Sequence, residues 1–343
     1  MDKKPAILII YTGGTIGMAQ KSSDGALAPV KFDQILEEVP ELNRLGYKLS
    51  AVTYSPPIDS ANMTIATWVK IANTIKQNYP FYDGFVILHG TDTMAYTASA
   101  LSFMFENLDK PVVMTGSQLP IGILRTDGKE NLITSIEIAA AKKNGLATVP
   151  EVCVYFDNKL FRGNRTSKRH ADHFSAFDSV NYPLLAKAGV EIKFFQENIY
   201  HPANKGILKI STKFDERVVI LKIFPGISKT VFENITNIPE LKGIVIESFG
   251  SGNMPTTTWM INLIKKAIRK KIIVLNITQC QGGAVNMGQY ETSQELLNAG
   301  VVSGKDMTTE AAVTKLMFLL GQDLSPEDIK MHLNKNMSGE ISE

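Results

Sequence analysis

The chain has 343 residues, of which 44% are apolar and 20% charged, with a net charge of +2. That length exceeds a usual single core and points to two domains. The balanced charge and scattered basic residues give no basis for a nucleic-acid or anionic-membrane partner, and no apolar run approaches the ~18 residues of a membrane span.

The start, "MDKKPAILIIYTGG", has too short an apolar run for a secretory leader. "AILIIY" reads as a buried strand that ends in the glycine turn "TGGTIG". "KLSAVTYS", "GFVILHG", "PVVMTG", "EVCVYF", "VVILKIF", "GIVIESFG" and "KIIVLNIT" follow as further strands. Helix patterns lie between them near 62–77, 93–107, 127–143, 256–270 and 308–320, with Asn62 expected to cap the first. "KKAIRKK" reads as the solvated end of a surface helix. This alternation predicts an α/β fold of parallel sheets with helices on both faces. The rhythm breaks between about Val190 and Val218. Residues 1–190 are therefore expected as a larger first domain, 191–217 as a linker and 218–343 as a smaller second domain. The two cysteines, Cys153 and Cys280, sit at ends of apolar runs. They are expected as buried free thiols, which fits a reducing cytoplasm.

In open α/β sheets, ligands bind beyond the carboxyl ends of the strands. Those ends read "YTGGTIG", "TYSPPIDSAN", "LHGTDTMAY", "MTGSQLP" and "YFDNKLFRGNRTSK", rich in hydroxyls, glycine and carboxylates. They are expected to share one polar pocket. The glycine turn matches neither the Walker spacing nor G-x-G-x-x-G, so nucleotide phosphate is not its expected ligand. "HADH" pairs two histidines without a third ligand cluster, and no metal or other cofactor is expected. A hydroxyl nucleophile needs a partner to take its proton. Lys168, in "RGNRTSK", is a candidate to exchange a proton with Thr91 while Asp92 orients it. Taken alone, Asp92 or Thr93 serves equally as a helix cap, Thr15 as a turn residue and the basic loop as a solvated face.

Together "TGGTIG", "HGTDTMAYTA" and "RGNRTSK" resemble the motifs of the L-asparaginase family, in its bacterial type I (cytoplasmic) branch. The likeness continues through "PPIDSANM", "VMTGSQLPIGILRTDGKENL", "TQCQGGAVNMG" and "GVVSGKDMTTEAAVTKL" and spans essentially the whole chain. The resemblance implies two α/β domains, the first flavodoxin-like, and hydrolysis of asparagine to aspartate and ammonia without a cofactor. It implies Thr15 as primary nucleophile, with Thr91, Asp92 and Lys168 as a second triad. Asp59 and Ser60 match the positions that hold the substrate's α-groups, with Asp92 sharing the ammonium. Backbone near Gly14, Thr91 and Ser117 is expected to line the side-chain end and supply oxyanion donors. Gly13 and Gly14 are expected to let substrate approach the backbone closely.

Two departures stand out. Many relatives carry a tyrosine on the loop after the glycine turn, but here that loop is "MAQKSSDGALAPV", with Ala26 or Leu27 in its place. Tyr290, in "GGAVNMGQYETSQ", is the candidate to supply the missing phenol, the alternative being a surface tyrosine at the start of the helix "ETSQELLNA". Some type I members bind an effector asparagine through an arginine just before "SFG"; here that residue is Glu247, although Cys280 keeps its counterpart. Allosteric activation is therefore not expected. The resemblance also implies a homodimer or homotetramer. Two competing readings are a component of a tRNA-dependent amidotransferase, which normally carries an extra domain before the glycine turn, and a catalytically silent amino-acid sensor.

Overall fold

The computed structural model describes residues 4–20, 27–29, 32–201, 206–288 and 291–342. The chain forms two compact units, residues 1–212 and 213–343.

The first unit is organised by an eight-stranded sheet. Its strands are β1 (Ala6–Tyr11), β2 (Lys48–Thr53), β3 (Gly84–Leu88), β4 (Val112–Thr115), β5 (Val152–Phe156), β6 (Lys159–Arg162), β7 (Ala186–Ala188) and β8 (Ile192–Phe194). The order across the sheet is β8-β7-β6-β5-β4-β3-β1-β2. The first five strands are mutually parallel and run 2-1-3-4-5, the flavodoxin-like order. Every residue of β3, β4 and β5 is buried, as expected for strands covered on both faces. Ile7, Ile9 and Tyr11 face one layer of the core with Leu132 and Ile136 of helix Gly128–Ala140. The alternate residues Leu8, Ile10, Phe85 and Ile87 are buried as well. β2 is the open edge, and only Leu49 and Val52 of its six residues are even partly covered.

The expected all-parallel sheet holds only to β5. Asp157 and Asn158 take φ of 49° and 61° and reverse the chain into β6, antiparallel to β5. Two consecutive left-handed residues make the turn type that suits a two-residue hairpin. β7 and β8 continue antiparallel, so the sheet is mixed. Part of the expected linker belongs to this unit: β8 lies in the sheet, and Lys209–Ile210 pairs with Phe105–Glu106.

The second unit holds a four-stranded parallel sheet of β9 (Val218–Lys222), β10 (Gly243–Ser248), β11 (Ile273–Thr278) and β12 (Val302–Ser303), in that order. Helix Thr258–Arg269 buries Met260, Ile261, Leu263 and Ile264 and leaves its basic end in solvent, as the "KKAIRKK" pattern implies. Near the C-terminus, Lys315 and Glu340 form a fully buried ion pair at 2.6 Å. The Glu340 carboxylate also accepts from the amides of Met337 and Ser338. Breaking this pair would strand a buried charge, so it pins the terminal segment to helix Thr309–Gly321.

The expected strands and helices all form. Of the two expected buried thiols, Cys153 is buried in β5 but Cys280 is exposed, because β11 ends at Thr278 and Cys280 falls in the loop beyond it. Thr64, not Asn62, caps helix Ile65–Asn78, accepting from the Thr67 amide; Asn62 lies in a preceding turn. Helices Phe32–Glu38, Lys229–Thr236 and Pro326–Leu333 have no counterpart in the sequence expectation.

Candidate active site

The 2-1-3-4-5 order places a switch point between β1 and β3. Their connections leave in opposite directions there, so a crevice opens beyond the carboxyl ends. Tyr11 and Leu88 pair at these ends. Thr15 follows one strand and Thr91 the other, so both hydroxyls arise at the place the fold favours for a ligand.

Gly13 and Gly14 take φ of 141° and 92°. A Cβ at Gly13 would lie 2.1 Å from the Ile58 carbonyl oxygen, and one at Gly14 would lie 2.5 Å from the Gly90 nitrogen. These glycines are thus required for backbone to pack on backbone, a need separate from the expected approach of substrate. The turn brings three loops together, those of Thr15, Asp59 and Thr91. Thr15 opens a short 3-10 turn, Thr15–Gly17, closed by a bond from the Gly17 amide to the Gly14 carbonyl at 3.2 Å. Beneath it the Tyr11 phenol donates to the Gly17 carbonyl at 2.9 Å. Burial raises the Tyr11 pKa to about 12, so this phenol stays protonated and braces the turn.

The second loop begins at His89, which is fully buried. Its two ring nitrogens meet the Gly90 carbonyl at 2.7 Å and Thr97 Oγ1 at 2.9 Å. Trp68 Nε1 donates to the same Thr97 oxygen at 3.0 Å. A carbonyl accepts only, so Nδ1 carries the ring proton; Nε2 then accepts from Thr97. Burial lowers the His89 pKa to about 4, against the opposing pull of the Gly90 carbonyl. A neutral histidine therefore supports the turn and does not act as a base near neutrality. Neither Asp92 nor Thr93 caps the helix Met94–Met104 that follows, since no side chain makes that bond.

Lys168 completes this group. Gly163 packs tightly against Val152 and Ala98, where a Cβ would sit 2.9 Å from the Val152 carbonyl oxygen. The chain then returns to the loop edge, where Ser167–Lys168 pairs with Phe177–Asp178. Lys168 Nζ donates to Thr91 Oγ1 at 2.8 Å and to Asp92 Oδ1 at 2.7 Å. The lysine side chain is 17% exposed and that of Asp92 64% exposed. The ammonium is thus held mostly in protein, while the carboxylate keeps a face free for a ligand.

Asp59 is exposed and Ser60 buried. Asp59 Oδ1 accepts from the Ala61 amide at 3.0 Å and fixes the turn Ser60–Asn62. Ser117 is buried and donates to the Leu119 carbonyl at 2.5 Å. The amides of Gln118 and Leu119 bond to the Asp127 carboxylate, which narrows the oxyanion donors available beside Ser117.

Gln118 is a residue that sequence reasoning misses. Its amide nitrogen donates to the carbonyls of Ala171 and His173 at 3.1 and 3.0 Å, and its oxygen accepts from Thr91 at 3.4 Å. It therefore braces the loop beyond Lys168 against Thr91. The only available signal is its place in a strand end, "MTGSQLP".

Tyr290 and Ala26 lie outside the described residues, as does the side chain of Leu27. Among the described residues no group of three or more metal-ligating side chains occurs, and no helix is long and apolar enough to cross a membrane.

Glu247 is on the second unit's sheet. Its carboxylate accepts from Thr309 Oγ1 at 2.8 Å and meets Lys222 Nζ at 3.5 Å. Gln279 donates to its backbone carbonyl at 2.7 Å.

Residues 6–200 match the asparaginase N-terminal family and residues 217–333 the glutaminase/asparaginase C-terminal domain. The chain is 44% identical to L-asparaginase 1 of Escherichia coli strain K12, over 99% of each chain. It is 43% identical to the solved L-asparaginase I of Vibrio cholerae, with a TM-score of 0.89, covering 99% of this chain and 100% of that one. The solved thermostable L-asparaginase of Thermococcus kodakarensis is 35% identical, with a TM-score of 0.90, covering 98% of this chain and 99% of that one. With both domains matched and the whole length aligned, the chain belongs to the asparaginase family.

Proposed function

We propose that the protein is an L-asparagine amidohydrolase that forms and hydrolyses a threonine ester. The observation that carries this reading is Lys168 Nζ bridging Thr91 Oγ1 and Asp92 Oδ1, beside a switch point that also presents Thr15. The family membership and full-length similarity to L-asparaginases support the substrate.

In the first half-reaction, Thr15 Oγ attacks the side-chain amide carbon. The C–N bond breaks, ammonia leaves with the hydroxyl proton, and a β-aspartyl ester forms on Thr15. In the second, water attacks the ester carbonyl, aspartate leaves and the Thr15 hydroxyl is restored. Thr91 and Lys168 supply the proton path: an amine that has passed its proton on faces the Thr91 oxygen at hydrogen-bond distance and can take the next one. Asp59 and Asp92 offer two carboxylates for the α-ammonium, and Ser60 holds the α-carboxylate end. Backbone at Gly14, Thr91 and Ser117 lines the reacting end and stabilises the oxyanion. Tyr290 is proposed to relay the Thr15 proton. The chemistry asks for no cofactor. A homodimer or homotetramer in the cytoplasm is the setting that the resemblance to the type I branch supports.

The deciding experiment is ammonia release from asparagine by the purified protein and by Thr15→Ala. The wild type is expected to be active and the variant nearly inactive, with unfolding stability changed by less than about 2 kcal/mol. Near-wild-type release by Thr15→Ala would overturn the nucleophile assignment. No release by the wild type would favour an amino-acid-binding protein.

A further inference from the structure

Thr93 occupies the N-cap position of helix Met94–Met104, at φ −118° and ψ 15°, yet its side chain makes no capping bond. A capping threonine accepts from an amide of its own helix. Here the hydroxyl instead donates to the Ser60 carbonyl at 2.7 Å. That carbonyl already closes its own turn by accepting from the Met63 amide at 3.1 Å. The bond from Thr93 is therefore additional, and what it does is tie the Ser60 turn to the Thr91 turn.

Packing at the same spot shows how close the two turns lie. A Cβ on Gly90 would sit 2.5 Å from Ser60 Oγ and 2.7 Å from Ser60 Cβ. Thr93 is thus a polar clamp across a contact in which a glycine already removes all spare space. The inference rests on the function proposed above, in which Asp59 and Ser60 hold the α-groups of the substrate while Thr91 and Lys168 work at its amide end. Asp92 of the Thr91 turn shares only the ammonium, so the Ser60 turn at the α-carboxylate end and the Thr91 hydroxyl at the amide end are the two jaws of a gauge for chain length.

We infer that Thr93 is a positioning residue that fixes the separation of these jaws, and so sets the preference for asparagine over the amide one methylene longer. An extra methylene moves the reacting carbonyl by ~1 Å or more, and a displacement of that size is costly in a site that works by orientation. A site without the clamp can open to accept the longer chain while gripping the shorter one less well.

The test is steady-state kinetics with asparagine and glutamine for wild type, Thr93→Val and Thr93→Ser. Valine keeps the shape and removes the hydroxyl; serine keeps the hydroxyl. For Thr93→Val, KM for asparagine should rise about 3- to 10-fold, the value of one lost hydrogen bond. The ratio of kcat/KM for asparagine over glutamine should fall by a similar factor. Thr93→Ser should restore both quantities. If the valine variant does not fold, Thr93→Ala removes the same hydroxyl without adding bulk and carries the same expectation. An unchanged KM and selectivity ratio would overturn the inference, as would equal losses of kcat on both amides with a lowered melting temperature, the mark of a merely structural role. Thr91→Val, run in parallel, separates this from the underlying reading. If Thr91→Val is inactive while the Thr93 variants match wild type, only the clamp is wrong. If Thr91→Val stays active, the catalytic assignment itself fails and the clamp falls with it.

Discussion

Both units end parallel strands in polar loops, yet their charges are engaged differently. At the first sheet, Asp59 and Asp92 are exposed, and the neighbouring lysine contacts only one of them. At the second sheet, the Glu247 side chain is 14% exposed and already faces Lys222 and Thr309. The same rule of sheet architecture nominates both edges as ligand sites. Among the described residues, the first edge keeps acidic groups with room for a cation, which suits the α-ammonium of an amino acid, whereas Glu247 at the second is engaged. Strand-end geometry is therefore permissive, and uncommitted charge selects between the two edges.

The largest effect is expected at Lys168. Lys168→Met keeps the length of the stem but removes the group that bridges Thr91 and Asp92. Turnover should be abolished, far below even ~10% of wild type, because a proton-transfer partner is lost, while weak aspartate binding by Asp59 and Asp92 survives. Ammonia release and equilibrium binding measure the two separately. Activity above that level would make the first edge no more catalytic than the second.

Tyr290→Phe comes next. If the phenol relays the Thr15 proton, kcat should drop by ~10²-fold or more, with secondary structure and oligomeric state unchanged. Unaltered kcat and KM would leave Lys168 as the remaining base for both threonines.

A smaller effect, on stability, is expected from His89, which underpins the Thr91 turn. Its pKa falls from 6.5 to about 4 on burial. Between these values the unfolded chain binds a proton that the native state does not. Stability from this residue is therefore complete above about pH 6.5 and is lost as the pH drops toward 4, by about 3 kcal/mol in total. Urea unfolding at pH 7 and pH 4.5 should show a larger acid loss for wild type than for His89→Gln, which cannot titrate. Equal losses would show that the histidine keeps an ordinary pKa and that the turn is less tightly built than its hydrogen bonds indicate.

Much of the first edge is legible from sequence because its strands are continuous apolar runs and its loops concentrate hydroxyls and glycine. The rest depends on partners distant in the chain. The turn at Asp157 and Asn158 carries a recognisable "DN" signal, but its setting among strand-end loops makes it look like part of a ligand loop. β7 and β8 are only three residues each, "AKA" and "IKF", too short to show a period. Gln118 finds its carbonyl partners 53 and 55 residues away, a pairing no local pattern announces. Likewise, the reason for glycine at 13 and 14 lies in Ile58 and Gly90, which only the folded chain brings near. Thr64 displaces Asn62 as a cap because Asn62 is already committed to the turn that Asp59 holds.

The smallest expected effect tests the second edge. An effector asparagine would need a cation there for its carboxylate, and this chain offers Glu247 instead, with its own lysine and threonine already engaged. A second carboxylate brought to the same place meets like charge, which costs binding energy in either protonation state of the ligand's amine. Lys222 does not reverse this, since it is 64% exposed, approaches only to 3.5 Å and is partly neutralised by Glu247. Initial rates against asparagine concentration should therefore follow a simple hyperbola, and Glu247→Ala should leave the curve's shape unchanged. A Hill coefficient clearly above one that disappears in Glu247→Ala would show that the second edge binds an effector in another way. It would also mean that uncommitted charge is not what distinguishes the two sheets.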